Sequence, residues 1–377
     1  MDFRFTEEQE MLRAKVRRFA EEKLVPIAGE VDEMDEVSWE VAGLLGEQEL
    51  FYLLTPKEYG GAGIRAVPIC IVREELSRIS IHADLLFAEM GLCAFPISNY
   101  GTEAQKEKYL IPFAKGENLG CFALTEPDAG SDVANLQTTA VLDGDSYVLN
   151  GNKCFASVGF FAQTYVTFAK TDPSQGSRGI SAFVVEKGTP GFEGKQMKLM
   201  GPHPIAELTF TDCRIPKENL LGEPNRGMRV ALSTLDFLRM SVGAAAIGVA
   251  QRAYEEAISY SKKRIAFGQA IAEFQATQFK LADMATEIDA ARLLVYRAAW
   301  MRDEVAERVS KESAMAKLFA TEMAWRVVDQ AVQLHGGYGV VRGMPVERLY
   351  RVIRQPRVYE GTSEIQRVVI SRHILED

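Results

Sequence analysis

Near the C-terminus a carboxylate stands beside a glycine, in the run Tyr-Glu-Gly-Thr-Ser-Glu at 359–364. Gly361 permits backbone angles that other residues rarely adopt. Ser363, followed three residues later by Gln366, fits a capping box that starts a helix. We therefore expect a turn that holds Glu360 at the beginning of a helix, with its backbone close to a ligand. The simpler interpretation is a solvated acid on a connection.

A second segment combines hydroxyls with a Pro/Gly loop, in the run Leu-Thr-Glu-Pro-Asp-Ala-Gly-Ser-Asp at 124–132. The hydroxyls of Thr125 and Ser131 and the free backbone N–H groups of the loop suit carbonyl and phosphate oxygens. On its residues alone, the segment could also be a capped turn.

Charged residues near the C-terminal helices offer two further sites. Asp236 and Arg239 are three residues apart on one helix face, where an intrahelical ion pair is the simplest interpretation. Arg264 carries a guanidinium that can bind a pyrophosphate through two hydrogen bonds. The glycines at 336–339 follow a long helical pattern and could be only its C-cap.

Composition excludes several classes of protein. A net charge of −9 over 377 residues argues against a nucleic-acid binder, because the phosphate backbone favours clustered positive charge. The five cysteines show no CxxC and no zinc-like spacing, so we expect reduced, mostly buried thiols and no metal site. The acidic N-terminal residues lack the apolar core of a signal peptide, and no 18-residue apolar run predicts a membrane span. These features predict a cytoplasmic protein.

The elements that must position these residues follow three patterns, which predict three domains at 1–115, 116–222 and 223–377. The first is helical and begins with a capping box at Thr6. The second holds short strands separated by turn residues, typical of a small β-sandwich or barrel. The third returns to long helices that suit an antiparallel four-helix bundle. We expect the strands at 119–124, 138–142, 147–149, 165–169, 181–185 and 208–210, and the long helices at 231–264, 274–305 and 311–334.

A glycine-rich segment at 61–66 (Gly-Ala-Gly-Ile-Arg-Ala) matches the G-x-G-x-x-(G/A) fingerprint of dinucleotide-binding folds. That fingerprint needs a strand directly before it, and the preceding Pro-Lys-Glu-Tyr shows no strand alternation. We expect a tight turn. A non-flavin nucleotide-binding protein that uses this loop is the rival interpretation.

The motifs together resemble those of the acyl-CoA dehydrogenase family along nearly the whole chain. The 124–132 run resembles the family's T-E-P-x-A-G-S-D residue for residue, and the 359–367 run resembles its catalytic signature. The segments at 263–275 and 333–339 resemble its R-x-x-F-G…Q and Q-x-x-G-G-x-G elements. The resemblance implies a helical domain, a β domain and a helical bundle, and it implies FAD as the cofactor.

The resemblance also implies roles for individual residues. Glu360 is the expected catalytic base, and Leu238 occupies the position where some relatives place that acid, which leaves the role to Glu360. Substrate-binding residues are expected at Ser131, Asp236, Arg239 and Gly361. The expected cofactor-binding residues are Thr125, Ser131, Phe155, Ser157, Arg264, Phe267, Gln275, Gln333, Gly336, Gly337, Thr362 and Glu364.

Two segments depart from the family pattern. The run Phe-Ala-Ser-Val at 155–158 keeps an aromatic residue and the hydroxyl of Ser157 but changes the residues between and after them. The run at 200–208 (Met-Gly-Pro-His-Pro-Ile-Ala-Glu-Leu) is shorter than its counterpart and lacks the usual Arg and Thr. Such changes indicate either an unusual substrate pocket or neutral drift in a surface loop.

Asp84 lies on the helix that resembles the acyl-pocket helix of the family. An acid there is unusual, because burying an unpaired charge is costly. Asp84 could cap a helix or face solvent. Alternatively it could bind a polar or cyclic acyl group together with Glu89, or act as a second base. Glutaryl-type relatives carry an Arg in this region to hold a distal carboxylate, so Asp84 disfavours a dicarboxylic substrate.

The implied activity is FAD-dependent α,β-dehydrogenation of an acyl-CoA thioester. Glu360 would remove the α-proton from a dry pocket that raises its pKa, and flavin N5 would accept the β-hydride. The resemblance implies a homotetramer, or dimer of dimers, and an electron-transfer flavoprotein as acceptor. The alternatives are an enoyl-CoA reductase that runs the same site in reverse, and a catalytically silent CoA- or flavin-binding relative.

Overall fold

The computed structural model of the protein describes residues 4–376. Its backbone forms two compact units. The first comprises Met1–Glu33, Ala66–Asp84 and Asp236–Asp377, and the second comprises Met34–Arg65 and Leu85–Leu235. Each unit combines segments that are separated in the sequence. The units therefore do not test the predicted domain boundaries near residues 115 and 222, which stay predictions.

Eleven α-helices lie in the described part of the chain. In chain order they are α1 (Glu7–Phe19), α2 (Val25–Val31), α3 (Trp39–Glu47), α4 (Ala66–Ser77), α5 (Ile81–Tyr100), α6 (Glu103–Ala114), α7 (Gly227–Lys263), α8 (Gln275–Glu304), α9 (Ser310–His335), α10 (Pro345–Val352) and α11 (Ser363–Glu376). The three long helices α7, α8 and α9 begin and end within a few residues of the predicted bounds. The predicted capping box is also present, since Thr6 and Gln9 each accept from the other's backbone N–H.

The first unit is helical, and its helices approach closely where small residues permit. Helix α9 packs against α8 and α11, and α4 packs against α1 and α8. A Cβ added at Gly248 of α7 would lie 2.1 Å from Ser77 Oγ, and one at Gly243 would lie 2.8 Å from Val295 Cγ2. These two glycines therefore allow neighbouring helices to approach closely.

The second unit contains one sheet of eight strands. The strands are β1 (Gly120–Ala123), β2 (Thr139–Asp143), β3 (Ser146–Ser157), β4 (Thr164–Lys170), β5 (Ile180–Glu186), β6 (Phe192–Met197), β7 (Ile205–Pro216) and β8 (Leu220–Leu221). Their order is β6-β7-β3-β2-β4-β5-β8, and β1 pairs with β4 in parallel. The pairs β2–β3 and β4–β5 are antiparallel neighbours joined by the predicted turns.

All six predicted strands form, but two are much longer than expected and two strands were not predicted. Strands β3 and β7 pair along most of their length. Both strands contain polar residues that face solvent. The prediction relied on short apolar runs, so it covered only part of each strand. Strand β6, at the edge of the sheet, carries no fully buried residue. Its sequence therefore lacks the hydrophobic alternation that marks a half-buried strand.

The glycine loop at 60–63 is a tight turn, as predicted. Gly60 and Gly63 have φ values of 86° and 97°, and the segment before them is a short 3-10 helix, Lys57–Tyr59, rather than a strand. The context that a dinucleotide fingerprint requires is therefore missing, and the rival interpretation of this loop was wrong.

Two further expectations concern buried segments. All five cysteines are buried and free, as predicted. Helices α5 and α7 are each long and apolar enough to cross a membrane by length and composition, but charged residues such as Asp84 and Arg239 interrupt them, so neither contains the 18-residue apolar run that was expected to be absent. Most of each apolar window is buried inside the protein, at 83% and 78% respectively.

Candidate active site

The Glu360 turn lies between a short 3-10 helix, Gln355–Arg357, and the start of α11. Glu360 has φ = 51° and Gly361 has φ = 88°, so two successive residues occupy the left-handed region. A residue other than glycine in that region costs about 1–3 kcal/mol and persists only where its surroundings impose it. The strain at Glu360 therefore requires contacts that hold the turn in place.

Side chains outside the turn supply those contacts by binding its carbonyl groups. Lys317 Nζ, from α9, donates to Tyr359 O at 2.7 Å and to Gly361 O at 2.5 Å. Gln366 Nε2 donates to Gly361 O at 2.7 Å and to Glu360 O at 3.3 Å. Three consecutive carbonyls are thus held by two side chains.

Helix α9 also fixes the two flanks of the turn through Glu322. Its Oε1 accepts from Arg357 Nε at 3.0 Å and from Ser363 Oγ at 2.6 Å. The predicted capping box was therefore wrong in its residues. Thr362 caps α11 by accepting from Ile365 N, while Ser363 binds Glu322 and the Gln366 side chain reaches back to the turn. Several residues near the turn could bind the same backbone groups, so the sequence alone did not show which of them caps α11.

The Glu360 carboxylate is buried although the residue as a whole is half-buried. Its Oε2 is inaccessible to solvent and has no hydrogen-bond partner within residues 4–376. Burial raises the pKa of Glu360, opposed by the positive charges of Arg73, Lys317 and Arg239. The expected rise in pKa is confirmed. The Glu360 N–H likewise donates to no group in this part of the chain.

Asp84 is buried, at 5% exposure, and forms an ion pair with Arg73 of α4. Arg73 Nε and Nη2 donate to Asp84 Oδ1 and Oδ2 at 2.8 and 2.9 Å. The third contact of the guanidinium is with Ser241 Oγ at 2.9 Å. Asp84 therefore neither faces solvent nor lies unpaired. Both of its oxygens are engaged by Arg73, and its role in binding substrate stays a prediction.

Asp236 and Arg239 form the expected intrahelical ion pair, with Nη1–Oδ1 at 2.6 Å. Asp236 Oδ2 also accepts from Ser310 Oγ at 2.6 Å, which ties α7 to the start of α9. Arg239 is 4% exposed, and its Nε is buried with no partner in the described residues. The ion pair therefore leaves the Nε–H of Arg239 without an acceptor among the described residues.

In the second unit, a buried ion pair between Lys153 and Glu126 supports the 124–132 loop. Lys153 Nζ lies 2.8 Å from Glu126 Oε1 and donates to Leu124 O at 3.2 Å. The Glu126 carboxylate also accepts from the backbone N–H groups of Gln137 and Thr138. Burial would raise the pKa of Glu126, but the charge of Lys153 and these hydrogen bonds lower it. The hydroxyl-bearing loop is therefore an ordered structure and not a freely solvated turn.

The 155–158 segment lies on a β-bulge of β3, where the pairing with β7 shifts between Lys153 and Ala156. Phe155 has φ = 55° and is 55% exposed, so an aromatic ring is presented outward from a strained strand. Cys154 N donates to Thr125 O at 2.9 Å. The bulge and the 124–132 loop are therefore neighbours, and together they present Thr125 and Phe155.

The two segments that depart from the family pattern contact each other. Ser157 Oγ lies 2.8 Å from His203 Nε2, and Val158 N donates to Pro204 O at 2.6 Å. His203 is 8% exposed. The 200–206 segment thus supplies a buried partner, His203, to the hydroxyl of Ser157.

Comparison with known proteins decides the family. A short-chain specific acyl-CoA dehydrogenase of Clostridium acetobutylicum is 44% identical over 378 residues, covering 99% of this chain and 100% of the relative. Models of the acyl-CoA dehydrogenase N-terminal, middle and C-terminal domains match residues 6–117, 121–213 and 225–375. The chain belongs to the acyl-CoA dehydrogenase family.

Other members of the acyl-CoA dehydrogenase family agree with this assignment. The acryloyl-CoA reductase (NADH) of Anaerotignum propionicum is 45% identical over 381 residues, covering 100% of this chain and 96% of the relative. The solved butyryl-CoA dehydrogenase of Megasphaera elsdenii is 40% identical with a TM-score of 0.95, and the match covers 100% of both chains. The predicted family and fold class are confirmed, as is the class of enzyme, an oxidoreductase.

The cofactor of the acyl-CoA dehydrogenase family is a flavin, and the second unit fits one. An exposed aromatic ring that is held out by backbone strain has no packing role in its own strand, and it suits a flat ring system. Thr125 and Ser157 add hydroxyl groups on the same two segments.

The predicted cofactor residues from Arg264 to Glu364 lie on the first unit, where Thr362 is half-buried and the others are exposed. Arg264, Phe267 and Gln275 lie just before, within and after a small hairpin formed by β9 (Ile265–Ala266) and β10 (Gln269–Ala270). Phe267 is 97% exposed with φ = 49°. Gln333, Gly336 and Gly337 are exposed at the end of α9, and Thr362 and Glu364 begin α11. Their contact with a cofactor stays a prediction.

Sequence reasoning missed three residues that shape the Glu360 surroundings: Arg73, Lys317 and the side chain of Gln366. For Lys317 a signal existed. It is spaced three or four residues from the buried Ser313, Ala314 and Thr321 on α9, so it falls on the apolar face of that helix. A charged residue at such a position is almost never fully buried without a partner, and this identifies it as a functional candidate.

Proposed function

We propose that the protein oxidises an acyl-CoA thioester between its α- and β-carbons, with Glu360 as the base that removes the α-proton. The observation that carries this assignment is the Glu360 carboxylate: buried, unpaired at Oε2, and raised in pKa by burial. A carboxylate whose pKa is raised binds the α-proton more strongly, and positioned general bases contribute roughly 10²–10⁴-fold to a rate.

The proton transfer creates negative charge on the thioester oxygen, and this chain offers groups that stabilise such charge. The N–H of Glu360 has no partner within residues 4–376 and is therefore available as a donor. Arg73, Lys317 and Arg239 add positive charge near the same carboxylate. Donors fixed before the reaction are worth most in a site from which water is excluded.

We also propose FAD as the cofactor and the residues named above as its contacts. When bound, the flavin supplies the acceptor for the hydride that leaves the β-carbon. Thr125 and Ser157 present hydroxyls to it and Phe155 presents an aromatic ring. The exposed motifs around Arg264 and Gln333 suit a site completed by a second chain, which supports the proposed homotetramer.

The same residues can serve the reverse reaction. Protonated Glu360 would return a proton to the α-carbon of an enoyl-CoA, and a relative 45% identical to this chain is named acryloyl-CoA reductase (NADH). The direction is then set by the electron partner, and we propose an electron-transfer flavoprotein for the oxidative direction. Location in the cytoplasm stays a prediction.

The visible spectrum of the purified protein tests this proposal. Under anaerobic conditions the flavin should be bleached by one or more members of a panel of straight-chain and cyclic acyl-CoA thioesters. Glu360→Gln should retain the colour and lose the bleaching. The matched control is Glu287→Gln, which removes a carboxylate from a surface pair with Arg326 and should bleach as wild type does.

Three outcomes would count against the proposal. A colourless protein that does not take up FAD would refute the cofactor. A yellow protein that no thioester bleaches would indicate a silent CoA- or flavin-binding relative. Normal bleaching by Glu360→Gln would refute the base.

A further inference from the structure

Lys317 is completely buried in α9, and its ammonium group makes two hydrogen bonds in the structure. Both go to backbone carbonyls on either side of Glu360, those of Tyr359 and Gly361. Burying an ammonium group costs free energy, and a hydrophobic residue of similar volume is often equally good for stability. A role in folding alone therefore gives a poor account of a lysine at this position.

The contact with Tyr359 O determines where the next N–H points. In a trans peptide the C=O and N–H groups lie in one plane and point in opposite directions. By holding the carbonyl of Tyr359, Lys317 fixes the plane of the peptide that joins Tyr359 to Glu360. The N–H of Glu360 is consequently directed away from α9, toward the side where it finds no partner among residues 4–376.

The contact of Lys317 with Gly361 O anchors the backbone that follows Glu360. Glu360 is then held at φ = 51° between two anchored carbonyls, with Gln366 Nε2 as a second donor to Gly361 O. A neutral Gln366 cannot replace the first anchor, because it bonds the carbonyls of 360 and 361 and not that of 359. Lys317 is thus the side chain that anchors the peptide before Glu360.

We propose that Lys317 is a positioning residue of the acyl-CoA reaction: it orients the Glu360 N–H as the donor to the enolate oxygen and the Glu360 side chain as the base. This inference rests on the proposed function, since it assigns to Glu360 both a base and a donor. It adds a specific claim, which is that a lysine outside the signature motif sets the geometry of both groups.

The charge of Lys317 has a second, separable effect. The groups that act on Glu360 are Arg73 on α4, Asp84 on α5, Arg239 on α7 and Lys317 on α9. The positive charge of Lys317 lowers the pKa of Glu360 and so opposes the effect of burial. Its loss should move the acid limb of the kcat/KM profile to higher pH, because Glu360 must be ionised in the free enzyme to act as a base.

Ligand binding by the flavin-loaded enzyme gives the decisive test, independent of turnover. A 3-oxoacyl-CoA such as acetoacetyl-CoA mimics the enolate, whereas S-butyl-CoA, a thioether, lacks the carbonyl oxygen. Lys317→Met should weaken binding of the enolate mimic about tenfold or more and change thioether binding by less than about threefold, because only the first ligand uses the oriented N–H. Isothermal titration calorimetry measures both.

Kinetics and two further variants complete the design. Lys317→Met should lower kcat about 100-fold, the cost of a displacement of the order of 1 Å in a catalytic group, and should raise the pH of the acid limb. Lys317→Arg keeps the charge and donors, and it should hold the acid limb at the wild-type pH. Arg326→Met removes a cation from the exposed side of the same helix and should leave both ligand affinities unchanged.

The results separate this inference from the proposed function. If Lys317→Met weakens both ligands equally, or neither, Lys317 does not orient the donor and the inference fails. If the variant does not fold, Lys317→Arg is titrated with the same two ligands instead: a loss of thioether affinity as large as its loss of enolate-mimic affinity would contradict the inference. Normal bleaching by Glu360→Gln, by contrast, would overturn the proposed function itself.

Discussion

Arg73 and Asp84 form a buried, two-pronged ion pair, with Nε–Oδ1 at 2.8 Å and Nη2–Oδ2 at 2.9 Å. Their side chains are 4% and 7% exposed. Breaking a buried pair by removing one partner leaves an uncompensated charge and typically costs 3–5 kcal/mol. We predict that Arg73→Met lowers the free energy of unfolding by about 3–5 kcal/mol, measured by urea denaturation of the flavin-loaded protein.

The double variant Arg73→Met/Asp84→Leu tests whether that cost comes from the orphaned charge. It should lose less stability than Arg73→Met alone, because replacing both partners with apolar groups leaves no buried charge. Arg326→Met breaks an exposed pair and should cost no more than about 1 kcal/mol. Equal losses in the single and double variants would contradict the pairing.

His82 gives the first unit a dependence of stability on pH. Burial lowers the pKa of His82 from 6.5 to about 4. Below pH 6.5 the unfolded chain therefore binds a proton at His82, whereas the folded protein does not bind it until the pH approaches 4. The contribution of the neutral imidazole to stability is fully present above pH 6.5 and is lost as pH falls toward 4. Between pH 6.5 and pH 5 this amounts to about 2 kcal/mol, at 1.36 kcal/mol per pH unit.

Urea denaturation at pH 7 and pH 5 measures the effect. His82→Gln should reduce the difference in unfolding free energy between the two pH values by about 2 kcal/mol relative to wild type. His373→Gln, on the exposed part of α11, is the control for loss of an imidazole. An unchanged difference in His82→Gln would show that the imidazole ionises in the folded protein.

Gly248 marks the tightest helix contact in the first unit. An alanine Cβ would lie 2.1 Å from Ser77 Oγ and 2.2 Å from Glu74 O, and the second of these is backbone that cannot move aside cheaply. We predict that Gly248→Ala lowers the unfolding free energy by about 2–3 kcal/mol through overpacking. Gly29→Ala meets nothing within 4 Å in α2 and should instead stabilise the protein by about 0.5–1 kcal/mol. Thermal denaturation compares the two.

Much of this architecture could be predicted because its signals are local. The apolar spacing of α7, α8 and α9 and the cap at Thr6 each depend only on residues that are close together in the sequence. The resemblance of the 359–367 run to a known signature then located Glu360. No such local signal exists for an edge strand such as β6, whose residues are largely exposed.

The active-site details escaped prediction because they depend on partners distant in sequence. Asp84 seemed an unpaired acid until the fold brought Arg73 to it, and Ser363 seemed a cap until Glu322 provided a better partner for its hydroxyl. Lys317 lies 42 residues from Tyr359. In each case one side chain has several possible partners, and only the packed structure selects among them.

Lys153 and Glu126 offer a final prediction, which concerns the proposed contact of the 124–132 loop with the flavin. Their ion pair lies beneath Thr125, since Lys153 also binds the carbonyl of Leu124. Lys153→Met would leave the buried Glu126 carboxylate without its cation, so the 124–132 loop should lose its fixed shape. We expect the Kd for FAD to rise about tenfold or more, equivalent to about 1.4 kcal/mol, as measured by flavin fluorescence quenching.

The same pair predicts a pH dependence for flavin retention. Burial, only partly offset by Glu126, lowers the pKa of Lys153 from 10.5 to about 8. As pH rises through 8 the ammonium loses its charge, Glu126 loses its counter-ion, and wild-type protein should release FAD more readily at pH 9 than at pH 7. Lys195→Met, on the exposed edge strand β6, should retain FAD as wild type does at both pH values. Equal retention by Lys153→Met and Lys195→Met would show that the ion pair does not hold the loop.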